Sequence, residues 1–143
     1  MNLDSTTKLL QIVLGEAKTT SDCDIVASYA DSTVSGFTLG NQNEKSNGTT
    51  PVTVVAAPAV DTQRQVKEIR LFNNDTVIHT VTLQLYDGTH TWIIGPSALS
   101  VAPGASFVYT PESGVCCPSG SGTVTQVVAG TNLNIGAGPG GTI

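Results

Sequence analysis

The stretch HTVTLQLYDGTHTWII, residues 79–94, decides the fold class. Val81, Leu83 and Leu85 alternate with Thr80, Thr82, Gln84 and Tyr86, the period of a half-buried strand. Asp87-Gly88 follows, a strong hairpin signal, and THTWII returns. A two-residue turn pairs Tyr86 with Thr89, Leu85 with His90, Leu83 with Trp92 and Val81 with Ile94. In that register Trp92 anchors the core against Leu83.

Outward from this hairpin the same pattern recurs. VTVVAA (52–57) reads as a buried strand closed by Pro58, and QVKEIRLF (65–72) as the next, closed by Asn73-Asn74-Asp75. Ala98–Val101 and Ala105–Thr110 are short strands around Pro103-Gly104. IVASYA and GFTLG, within 23–40, are two further strand-like pieces, followed by a polar loop over 41–51. After residue 15 no helical period is visible. The expectation is an all-β chain, a β-sandwich or jelly-roll-like domain over 21–112.

The two ends differ from this middle. Residues 1–20 read as an extended N-terminal arm, polar apart from the apolar run at Leu9, Leu10, Ile12, Val13 and Leu14. That run is a short helix or an edge strand, and packs on its own domain or on a neighbouring subunit. Residues 113–143 open with a Gly/Ser/Pro connector. They continue with TVTQVVAGTNLNIGAGPGGTI, almost free of charge and too poor in apolar groups for an independent core. This segment needs partners to order. The expectation is a Gly-rich trimerisation segment in which Val124, Val127, Val128, Leu133 and Ile135 make contacts between chains.

Composition narrows the function. Charged residues make up 12 % of the 143, half the usual share, and the net charge is −5. The six basic residues are scattered, which argues against nucleic acid and against an anionic membrane as partners. No run of about 20 apolar residues is present. The N-terminus has no basic leader region, so synthesis in a reducing cytoplasm is expected.

Candidate chemistry is sparse. Cys116 and Cys117 are adjacent and bridge poorly within the pair, because the small ring distorts the intervening peptide. Outward bridging at a threefold axis would link three chains in a covalent ring; reduced thiols, or a bond to Cys23, are the alternatives. Cys23 itself reads as a small buried residue. A zinc site on the cysteines, His79 and His90 is disfavoured, since the hairpin separates the histidines by about 20 Å at about 3.3 Å per strand residue. No nucleophile elbow and no phosphate loop is present, so no enzyme and no cofactor is expected. Asp22, Asp24, Asp31, Asp61, Asp75, Asp87 and Glu112 sit beside turn residues, where their ordinary role is turn formation and solubility. A calcium site among Asp22, Asp24 and Asp31 is a weaker option. Lys67 and Arg70, with Glu68 between, are read as solvated charges on a sheet face or as interface charges.

Two regions carry a resemblance. The tail VVAGTNL (127–133) through GGTI (140–143) resembles the repeats that open the shafts of bacteriophage tail fibres. VTVVAAPA (52–59), RQVKEIRLFNND (64–75) and VTLQLYDGTHTWII (81–94) resemble small virion proteins of tailed phages, β-sandwich modules of capsid, neck or tail. The resemblance implies a homotrimeric virion component made in the host cytoplasm, with other virion proteins as partners. Such fibres continue past the Gly-Thr-Ile, where this sequence ends; the expectation is therefore a decoration, collar or fibre-attachment role rather than receptor binding. A carbohydrate-binding or adhesin module is the alternative. It requires Trp92, Tyr86 and Tyr109 to be exposed on one patch.

Overall fold

The computed structural model describes residues 1–116, and they form strands joined by turns, with no helix. The strands are β1 (Asn2–Leu3), β2 (Leu9–Leu14), β3 (Asp24–Thr33), β4 (Gly36–Lys45), β5 (Val52–Val55), β6 (Gln63–Phe72), β7 (His79–Tyr86), β8 (Thr91–Val101), β9 (Ser106–Thr110) and β10 (Gly114–Cys116). They make two antiparallel sheets. One runs β10-β9-β6-β3-β4, with β1 also on β6; the other runs β5-β2-β7-β8. The all-β sandwich expected from the sequence is the observed architecture.

The core is the apolar half of each alternating strand. In β2, Leu10, Ile12 and Leu14 point inward while Leu9, Gln11 and Val13 are half-buried. They meet Val54 and Val55 of β5, Val81 and Leu83 of β7, and Ile25, Ala27, Val66, Ile69, Leu71 and Phe107 of the facing sheet. Burial of branched and aromatic side chains at this density drives the two layers together.

The sequence expectations need four corrections. Residues 1–20 are not an arm. β2 lies between β5 and β7, and Leu10, Ile12 and Leu14 belong to the molecule's own core, so they do not form an interface. β4 runs on through Asn41–Lys45, residues expected as loop, because it pairs without a break along all of β3. The connector expected from residue 113 begins as β10, paired with β9.

The fourth correction is the β7–β8 hairpin. Its turn spans four residues, Asp87–His90, because the Asp87 carboxylate accepts from the N–H groups of Thr89 (2.9 Å) and His90 (2.7 Å). Tyr86 then faces Thr91, Leu85 faces Trp92 and Leu83 faces Ile94, two residues from the expected register. A shift of two preserves the faces. It also carries Trp92 one step towards the hairpin end, where it is 57 % exposed and anchors no core.

Candidate functional site

Three places on the described molecule could do work: a buried polar node, an aromatic corner, and an uncovered strand ribbon.

The node is built on Asp75, in the turn between β6 and β7. Its carboxylate accepts from the N–H groups of Thr19 (2.7 Å), Thr20 (2.8 Å) and Thr76 (2.8 Å), from the Thr20 hydroxyl (2.8 Å) and from His79 Nε2 (2.9 Å). Burial pushes this carboxyl up, but the hydrogen bonds from Thr19, Thr20 and His79 outweigh it and hold it well below the usual carboxylate range. His79 is fully buried. Its Nδ1 has no hydrogen-bond partner, and the nearest acid is Glu16, 3.8 Å away. The Glu16 carboxylate instead accepts from the Thr80 N–H (3.0 Å) and hydroxyl (2.5 Å). Gly15 passes so close that a Cβ there would stand 2.1 Å from Thr80 Oγ1. Next to the node, Cys23 is buried, and its thiol lies 3.6 Å from Asn73 Oδ1. The arrangement ties the 15–23 segment onto the start of β7. Asp75 is thus more than the turn-former expected.

The other carboxylates do not converge. Asp31 is held by Arg64 through two hydrogen bonds of 2.7 Å, and Arg64 also lies over the Tyr29 ring at 3.8 Å and donates to the Ala56 carbonyl. Arg64 lowers Asp31, and Asp31 raises Arg64. Asp24 takes Lys45 and Asn74, and Asp22 takes Lys18. Asp24 and Asp31 sit at the two ends of β3, so the calcium option fails on geometry: each acid has its own cation and none shares a site. Among the described residues, no group of three or more metal-ligating side chains gathers.

The aromatic corner is the β7–β8 hairpin end. Trp92 Nε1 donates to Asp87 Oδ2 (3.2 Å), and the rings of His90 and Trp92 stand 6.2 Å apart and tilted. Backbone N–H groups and Trp92 hold Asp87 down at about 2. Tyr86 is nearby and half-buried, its hydroxyl donating to the Gly88 carbonyl. Tyr109 is buried in the core, so the three-aromatic patch expected for a sugar site is not assembled.

The ribbon is the β3–β4 hairpin. Its tip carries Val34, fully exposed, and β4 is an outer strand of its sheet. Phe37 (63 % exposed) and Leu39 (72 %) share one face, the face turned away from the core. Ala30 and Ser32 lie opposite them on β3, with Gln65 and Gln63 beyond on β6. The patch is thus apolar, rimmed by neutral amides and hydroxyls. The sequence signal was available: Phe-Thr-Leu alternates between glycines inside the uncharged run 32–43.

Leu9 and Val13, expected at an interface, are half-buried strand residues of β2. Cys116 ends β10. Cys117 and the trimer candidates Val124, Val127, Val128, Leu133 and Ile135 lie outside the described residues. Comparison with protein-family models, with curated proteins and with solved structures yields no match.

Proposed function

We propose that the protein is a structural component of a phage virion, a non-enzymatic module that works through protein–protein contacts and assembles as a homotrimer. What carries the reading is where the apolar surface lies. Large apolar side chains are exposed on a strand ribbon and at sheet edges, at Val34, Phe37, Leu39, Trp92 and Ile93, as in proteins that bind other proteins. Most of the ionisable groups pair off into ion pairs, and the two histidines stand apart, one fully buried and one exposed at the far end of β7. The resemblance of the two sequence regions to tailed-phage proteins supplies the virion context, and residues 113–143 supply the threefold element.

Sedimentation of the full chain tests the trimer. The expected result is a mass in multiples of three chains, lost in the V127D/V128D double variant while the melting temperature of the sandwich stays put. A denaturing gel without reductant then reads the Cys116–Cys117 ring as a covalent trimer. Wild-type protein that sediments in no multiple of three would overturn the trimer.

A carbohydrate-binding module is the second reading, favoured by the exposure of Trp92 beside His90 and Asp87. Binding of soluble oligosaccharides that quenches Trp92 fluorescence would support it.

A further inference from the structure

A sheet edge is a row of unpaired N–H and C=O groups that will accept another strand unless something blunts it. Both edges of the smaller sheet are blunted. β5 is four residues long between Pro51 and Pro58, and Gln42 caps it from the facing sheet: its Nε2 donates to the Thr53 carbonyl (3.0 Å) and its Oε1 accepts from the Ala56 N–H (3.0 Å). β8 is broken at Gly95-Pro96 and Ala98, where φ is +79° at Gly95 and +55° at Ala98. In the larger sheet β10 has three residues. β4 is the exception. It is ten residues long and unbroken against β3, and it has no proline, no bulge and no charge before Glu44.

The two-residue turn at Val34-Ser35 closes on the Thr33–Gly36 pair. Alternation along an antiparallel ladder then turns the backbone groups of Gly36, Thr38 and Gly40 toward β3 and those of Phe37, Leu39 and Asn41 outward. A strand added to this edge must therefore pair with Phe37 and Leu39. A charged partner finds no counter-charge between Ser32 and Asn43. A second β4 fits. Laid antiparallel with Thr38 opposite Thr38, it sets Phe37 of each chain against Leu39 of the other, both outward-bonding, and Gly36 against Gly40. Glu44 and Lys45 of both chains fall beyond the paired stretch, so no like charges meet.

We propose that β4 is a homotypic docking edge: two copies of this chain join their larger sheets across a twofold axis at Thr38. The pairing goes beyond the trimer proposed above, since it needs none of residues 117–143; combined with a threefold it would link trimers to one another.

The test uses the full chain with C116S and C117S, which leaves Cys23 as the one native thiol, buried in the core. Adding T38C and oxidising with copper phenanthroline should give a disulfide dimer, because residues facing across such a ladder approach within disulfide reach. N43C, on the same strand, should stay unlinked. F37K/L39K should abolish the T38C dimer and halve the largest sedimenting species, with an unchanged melting temperature, since both side chains are exposed. Absence of the T38C dimer, equal linking at 38 and 43, or sedimentation unaffected by F37K/L39K would each overturn the pairing. Loss of threefold mass with retention of the T38C dimer would count against the trimer alone.

Discussion

At Asp75 a single carboxylate satisfies donors from three parts of the chain, the 19–20 loop, its own turn and His79. If it were removed, His79 Nε2 would be left buried without its partner, and the N–H groups of Thr19, Thr20 and Thr76 would lose theirs to be met by water. Asp75→Asn puts an NH2 group among N–H donors, and the melting temperature should fall substantially. The pH dependence has a defined sign. A carboxyl held below its unfolded value of about 3.9 adds stability that is complete above that value and fades as pH falls through the folded value. Thermal melts from pH 7 to pH 2 should show the gap between wild type and Asp75→Asn widest above about pH 5, narrowing below about pH 4. A gap independent of pH would mean that the charge on Asp75 is not what holds the node.

Among the elements, the β7–β8 hairpin separates what a pattern can tell from what it cannot. Alternation in Val81, Leu83 and Leu85 identified the strand and its buried face, because the pleat fixes both. The turn depended on the Asp87 side chain capping two N–H groups, and a dipeptide motif carries no information on that competition. Phe37 and Leu39 escaped for a related reason: alternation marks a face but does not say whether anything covers it. The run at 9–14 reads equally as a short helix or an edge strand, and its place between β5 and β7 depends on partners 40 or more residues away. The shifted register makes a sharp contrast. Leu83→Ala should cost about 2–5 kcal/mol in denaturant unfolding, whereas Trp92→Ala should cost less than about 1 kcal/mol. Iodide should quench Trp92 in the native protein. A shielded Trp92 would restore the two-residue turn.

For the molecule as a whole, the sandwich encloses its own first strands. β1 lies on β6 and β2 on β7, so the N-terminus is part of the monomer's stability. Ile12→Ala should therefore lower stability by about 2–5 kcal/mol, with a melting temperature that does not change with protein concentration. A concentration-dependent loss would return this strand to an intersubunit role.

That placement also sets an order of events in time. β2 is made early, but its neighbour β7 begins at His79, and the sheet is not complete until Val101 has been added. Until β7 is made, β2 has β5 as its one neighbour in the sheet, and Leu10, Ile12 and Leu14 lack Val81 and Leu83. Pairings this distant in sequence make folding slow, in the millisecond-to-second range typical of β-sandwiches. During synthesis the nascent chain carries a sticky apolar strand at its leading end. The molecule is thus most in need of chaperone protection before Val101 has been added, and its yield in a cell should depend on how quickly β7 follows β2 into the open.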